Sequence, residues 1–161
     1  MRRFALLIVL IAFPLAFAAT TATASGTTYS FNLTGPNVAE NPTTHHTITT
    51  TGSGTFDPGA GTVSASGSFV HRLPDGSVFD RGTWVATGFT SFTGFGGLNN
   101  GRQGGYLQIT ATLFPSGGVP HPGIAMTITC VINSPGGYEE GTTVGGFTEK
   151  TGGATLMHIV S

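Results

Sequence analysis

The chain has 161 residues, of which 26 are Gly and 12 are Phe, and only 8% are charged. So few Lys and Arg residues leave no electrostatic footprint for a phosphate backbone, which excludes nucleic acid as a partner. The Phe content and the alternating β-branched residues exceed what a disordered chain carries. The single cysteine excludes an internal disulfide, so stability must come from an apolar core.

The N-terminal segment has the features of a secretory signal peptide. Arg2 and Arg3 precede an uninterrupted apolar run over residues 4–17, and small residues follow up to Ala24. A membrane anchor is the alternative, but spanning the hydrocarbon core takes about 20 apolar residues. We therefore expect residues 1–24 to be a signal peptide and residues 25–161 to form one secreted or periplasmic domain, with no membrane span after cleavage.

The rest of the chain alternates in the manner of β-strands, and no segment has a helical period. Short turns join consecutive strands, as in a meander, whereas residues 93–105 are rich in Gly and Asn and are predicted to form a loop. About eight antiparallel strands in a small closed or nearly closed barrel are predicted, with a two-sheet sandwich as the alternative. The predicted strands cover residues 27–33, 45–51, 62–73, 77–92, 106–114, 124–132, 142–150 and 154–160.

The clearest hairpin is centred on Pro74, Asp75 and Gly76. Pro and Asp suit the central positions of a type I turn, and Gly supplies the left-handed residue that follows. A three-residue loop makes Leu73 face Ser77 and, further along, sets the register of the two strands. The face predicted to point to the core carries Val63, Ala65, Phe69, Phe79, Val85 and Phe89, and the opposite face carries Ser and Gly residues around Trp84.

This register leaves Trp84 opposite Ser66 on a small, polar face. An open indole can stack against the apolar face of a sugar, and Asp80 and Arg72 on the same face can supply hydrogen bonds. The sequence therefore offers Trp84, Asp80, Arg72 and Ser66 as a binding site for a small apolar or carbohydrate ligand. The alternative is that Trp84 is a core residue, because the register is shifted by one or a second layer covers this face.

Metal and cofactor sites are not predicted. No His follows Cys130 closely enough for a blue-copper site, and adjacent strand residues such as His45 and His46 point to opposite faces. The remaining histidines are His71, His121 and His158, and their spacing in the sequence does not match that of zinc ligands.

Cys130 alternates with Ile128 and Ile132, so we expect a buried, poorly reactive thiol. Glu139 and Glu140 are neighbours on a predicted strand entry, where both are expected to be solvated. No nucleophile motif or phosphate loop is present. The sequence thus favours an exported β-domain that binds a ligand or has a structural role. The alternative is an isomerase, cyclase or hydrolase acting in the barrel lumen through Asp80, Arg81 or a histidine.

Overall fold

The computed structural model describes residues 26–160, and the predicted signal peptide lies outside them. The described residues form nine antiparallel strands in one sheet. The strands are β1 (Tyr29–Glu40), β2 (Thr47–Asp57), β3 (Thr62–Arg72), β4 (Val78–Gly97), β5 (Arg102–Pro115), β6 (His121–Cys130), β7 (Gly141–Val144), β8 (Glu149–Gly152) and β9 (Thr155–Ile159).

The sheet closes on itself through six of these strands. Each strand from β1 to β6 pairs with the next one in sequence, which confirms the meander. The last strand, β9, lies between β1 and β5, so hydrogen bonds run around a ring of β1, β2, β3, β4, β5 and β9. β6 and β7 extend the sheet from β5 outside this ring, and β8 pairs with β1. The predicted near-barrel is therefore confirmed, although its wall is uneven.

The glycine-rich segment predicted as a loop is mostly paired strand. β4 continues to Gly97, β5 begins at Arg102, and only a short turn separates them. Glycine is required here for space, because a Cβ on Gly104 would collide with the carbonyl oxygen of Ile132 and one on Gly105 with the ring of Phe92. The absence of side-chain alternation in this segment thus reflects close packing of neighbours onto the strands.

Two other predicted boundaries are wrong. β1 runs on through the predicted loop at Gly35 and Pro36, with an irregular register between Leu33 and Asn37. The strand predicted over residues 142–150 is two short strands, β7 and β8, because the backbone turns at Gly145, which has a φ of 53°.

The β3–β4 hairpin has the predicted turn but a different register beyond it. The Leu73 amide donates to the Ser77 carbonyl oxygen, and Gly76 is left-handed, with a φ of 83°. A bulge at Phe79 then adds one residue to β4, so that Phe69 faces Gly82, one residue further along β4 than the turn alone would set. One extra residue exchanges the two faces of a strand. The predicted core positions of Phe79 and Val85 are consequently wrong, and both side chains are exposed.

Further bulges in β4 return later residues to the core. The bulge at Phe79 has already turned Trp84 and Ala86 inward. Register shifts after Ala86 and after Phe89 then turn Phe89 and Phe92 inward as well. Apolar side chains of the ring strands and of β6 and β7 form one core; the buried apolar residues are Phe31, Leu33, Ala39, Ile48, Phe56, Ala65, Phe69, Trp84, Leu107, Ile109, Ala111, Met126, Ile128, Cys130, Val144 and Met157.

Candidate functional site

Trp84, the centre of the predicted binding site, is fully buried. Its exposed fraction is 0%, and its indole N–H donates to the carbonyl oxygen of Thr51 at 3.0 Å. The ring lies against Gly52 and Gly67, where a Cβ on either residue would come within 2.6 Å of it. The expectation of an open ring is therefore wrong, and the alternative of a register shifted by one describes this residue. The small residues opposite Trp84 make room for its ring inside the sheet.

The other predicted site residues do not share a surface with the indole. Ser66 is exposed on the outer face of β3, and Arg72 is exposed and donates to the carbonyl oxygen of Gly76 at 2.9 Å. Asp80 is half-buried and faces His71, while its Oδ1 accepts from the Arg81 amide at 2.6 Å. Arg81 itself is exposed. The structure therefore does not bring Ser66, Arg72 and Asp80 together around Trp84.

The histidines are distributed over several elements. His45 binds the Glu40 carboxylate through Nδ1 at 2.7 Å, and His46 contacts His71, whereas His121 and His158 lie on β6 and β9. Over residues 26–160, no three His, Cys, Asp or Glu side chains are grouped so as to hold a metal ion. The same part of the chain contains no helix long and apolar enough to cross a membrane.

An open cleft of about 530 Å³ lies on the outer face of the sheet at β5, β6 and β7. Strand alternation puts it there, because Leu107, Ile128 and Val144 point into the core and their neighbours point outward. The last part of the wall comes from β8 and from the loop that joins β6 to β7. The lining residues are Tyr106, Thr127, Gly137, Tyr138, Glu139, Thr143 and Lys150.

Glu140 anchors the loop between β6 and β7, which lines part of this cleft. One carboxylate oxygen accepts from the Val131 amide at 2.8 Å, and the other accepts from the Thr155 amide at 2.6 Å. The interpretation of Glu140 as a solvated residue is therefore wrong, since its carboxylate joins the two ends of the loop to β9. Glu139, its neighbour, is exposed and lines the cleft.

Aromatic rings form one wall of the cleft. The Tyr138 ring packs against Phe95 with a centroid distance of 4.6 Å and against Tyr106 with a centroid distance of 5.4 Å. Opposite these rings, Thr127 and Thr143 share a hydrogen bond of 2.7 Å between their hydroxyl groups. One hydroxyl uses its only O–H in this bond and can still accept, whereas the other can both donate and accept a further bond.

Lys150 brings a positive charge to the cleft. Its Nζ donates to Thr129 Oγ1 at 2.7 Å and to the carbonyl oxygen of Glu139 at 2.6 Å. Burial lowers the pKa of this ammonium, and the carboxylates of Glu139 and Glu140 act in the opposite direction. A protonated lysine has three N–H donors, and the described residues accept from two of them. The third donor is available to a ligand in the cleft.

Sequence reasoning missed this site because no local pattern marks it. Tyr106, Thr127 and Thr143 come together only through cross-strand pairing, and Tyr138 lies in a segment that has no periodicity. One signal was available: Lys150 is the only lysine of the chain.

Comparison of the chain with models of protein families, with curated proteins and with solved structures finds no match.

Proposed function

We propose that this chain is an exported carbohydrate-binding domain and that a neutral sugar ring occupies the cleft beside Tyr138. The observation that carries the proposal is the set of groups gathered there: tyrosine rings, two threonine hydroxyls, one carboxylate and one unused lysine N–H. A sugar has apolar C–H faces that stack on aromatic rings and hydroxyl groups that both donate and accept. Every chemical feature of the cleft has a counterpart on such a ligand.

The charges of the cleft favour a neutral ligand over an ionic one. Lys150 is accompanied by Glu139 and Glu140, so a fully anionic ligand would gain one attraction and meet two repulsions. A sugar hydroxyl can accept from the Lys150 ammonium and donate to the Glu139 carboxylate without either repulsion. The predicted export signal is consistent with a ligand found outside the cytoplasm.

The apolar interior also supports binding over catalysis in the lumen. Trp84, Phe31 and Phe56 fill the space inside the ring together with the other core residues, so the lumen is occupied by the protein's own side chains. A lumen filled in this way offers no enclosed space for a substrate. Binding is accordingly assigned to the outer face.

Nuclear magnetic resonance titration tests the proposal directly. Amide shifts of Gly137, Tyr138 and Thr143 would be followed while cellohexaose, mannohexaose or xylohexaose is added, with cyclohexanol as an apolar probe of similar ring size. We expect saturable shifts of these amides with at least one oligosaccharide and none with cyclohexanol. Saturation with cyclohexanol alone would replace the carbohydrate by an apolar ligand, and unchanged cleft amides with every probe would overturn the proposal.

Variants at the cleft measure separately what the Tyr138 ring and the Lys150 ammonium contribute to binding. Tyr138→Ala removes a stacking contact of about 0.5–1.5 kcal/mol, which corresponds to a loss of affinity of about two- to tenfold. Lys150→Met removes a charged hydrogen bond of about 1.5–3 kcal/mol and should weaken binding at least tenfold. Val119→Ala, at an exposed apolar residue that does not line the cleft, is the control and should leave affinity unchanged.

A further inference from the structure

The rings of His46 and His71 contact each other, and neither residue lines the cleft. Nδ1 of His46 lies 2.9 Å from Nε2 of His71, which is the distance of a nitrogen–nitrogen hydrogen bond. His71 lies on β3, and His46 comes directly before β2. Such a contact holds one hydrogen between the two nitrogen atoms, because two N–H groups cannot point at each other over this distance.

Two phenylalanine rings pack against His71. The His71 ring packs against Phe79 with a centroid distance of 4.8 Å and meets Phe147 nearly at right angles at 5.1 Å. The rings reduce access of water to His71, and burial together with the nearby His46 lowers its pKa below 6.5, while Asp80 acts in the opposite direction. The neutral form of His71 is therefore the one that fits this environment.

Phe147 belongs to the turn that connects β7 to β8. The turn is closed by hydrogen bonds between the backbones of Val144 and Phe147, and the Thr148 amide donates to the carbonyl oxygen of Glu40. The Phe147 side chain packs against the core on one side and against His71 on the other. The imidazole pair is thus one of the surfaces that hold this turn against the sheet.

We propose that the His46–His71 pair acts as a pH-sensitive latch: the contact holds the β7–β8 turn in place, and protonation of both rings releases it. When both rings are protonated, the hydrogen between them is replaced by two opposing N–H groups and two positive charges. The rings must then separate, and His71 moves away from Phe147. The turn loses that contact as the pH falls, and with it the fixed position of the two strands that carry Thr143 and Lys150.

The other charged groups around the pair do not prevent this. Asp80 is the one carboxylate that faces His71 in register, and it also accepts from the Arg81 amide. One negative charge can balance one protonated ring and leaves the second uncompensated. The remaining charged groups nearby are Glu40, which is bound by His45, Glu149 on β8, and the exposed Arg72 and Arg81.

Hydrogen exchange of the turn amides tests the latch without any ligand. Protection factors of Gly145, Phe147 and Thr148, whose amides donate to backbone carbonyl oxygens, would be measured from pH 7.5 to pH 5, with correction for the intrinsic effect of pH on exchange. We expect protection of these amides to fall as the pH drops, by up to about tenfold per unit for each proton that the pair takes up on opening, while the amides of Leu107 and Ile109 keep theirs.

Glutamine variants assign the effect to the pair. His71→Gln and His46→Gln each remove one of the two charges, so the loss of turn protection at low pH should disappear in both. His121→Gln, at an exposed histidine on β6, should retain the full response. If His71→Gln does not fold, His46→Gln alone decides the outcome. Turn protection that is independent of pH in the native protein, or a response that persists in His46→Gln, would overturn the latch.

Discussion

The indole of Trp84 on β4 reaches across β3 and donates a hydrogen bond to the carbonyl oxygen of Thr51 on β2, 3.0 Å away. Gly67, the residue of β3 that pairs with Trp84, lies between them, and a Cβ there would come within 2.6 Å of the indole nitrogen. One side chain therefore connects three strands on the inner side of the sheet. This connection requires glycine at position 67, because a side chain on the middle strand would occupy the space that the indole uses.

Trp84 is the only tryptophan, so intrinsic fluorescence reports on this position alone. We expect a blue-shifted emission that iodide does not quench, because the indole has no exposed surface. Trp84→Ala should cost about 3–5 kcal/mol of the free energy of unfolding, measured by urea denaturation followed by circular dichroism. Val85→Ala, at the exposed neighbouring residue, should stay within about 0.5 kcal/mol. A quenchable, red-shifted emission would contradict the buried position.

Gly67 gives a second, independent measure of the same packing. In Gly67→Ala the new methyl group would collide with the carbonyl oxygen of Thr51 and crowd the indole, so we expect a loss of about 1–3 kcal/mol or more. Ser66→Ala changes a neighbouring exposed residue of the same strand and serves as the control, with an effect within about 0.5 kcal/mol. Thermal unfolding of both variants makes the comparison. Equal midpoints would show that the space beside Gly67 is not needed.

The strand arrangement follows from the sequence because alternation and turn residues act over short distances. The turn at Pro74, Asp75 and Gly76 was predictable in detail, since its geometry depends on those residues alone. The bulge at Phe79 was not, because the register that it produces brings Trp84 against Gly52 and Gly67 on other strands, and no local pattern shows that fit. A single bulge then reversed the predicted faces of β4 as far as Ala86.

The cleft could not be predicted for a related reason. Tyr106, Thr127 and Thr143 lie on three strands, and their meeting depends on the registers of β5, β6 and β7. Lys150 joins them because the chain turns at Gly145 and returns, which the alternation of residues 142–150 conceals. The burial of Cys130, in contrast, was predicted correctly. Cys130 lies two residues from Ile128 on the same strand, and such alternation can be read from the local sequence alone.

Burial also determines the chemistry that we expect of Cys130. Its exposed fraction is 1%, and burial raises the pKa of the thiol above 9.0. Little reactive thiolate is present at pH 8, and a reagent has no direct access to it. We expect thiol labelling of the native protein to be at least about tenfold slower than labelling in urea, because the buried thiol reacts only after the structure opens. Rapid labelling without denaturant, or a reducible dimer on a gel, would contradict this expectation.

Glu139 and Glu140 are adjacent in sequence, yet the structure gives them different environments. Both carboxylate oxygens of Glu140 accept backbone amides, from Val131 and from Thr155, whereas Glu139 is exposed and contributes its backbone carbonyl oxygen to Lys150. In Glu140→Gln one oxygen becomes an NH₂ group that faces an amide N–H, so one backbone donor loses its acceptor. Leaving such a donor without a partner costs about 1–3 kcal/mol of the free energy of unfolding.

Glu139→Gln is the matched control, because the carbonyl oxygen that binds Lys150 is unchanged by the substitution. We expect it to alter the free energy of unfolding by less than about 0.5 kcal/mol. Urea denaturation of the two variants, side by side at pH 7, measures the difference. Because the amides of Val131 and Thr155 anchor the loop that carries Tyr138, the amide shifts of that loop should also change in Glu140→Gln and stay in place in Glu139→Gln. Equal stability losses in the two variants would show that Glu140 does not anchor the loop.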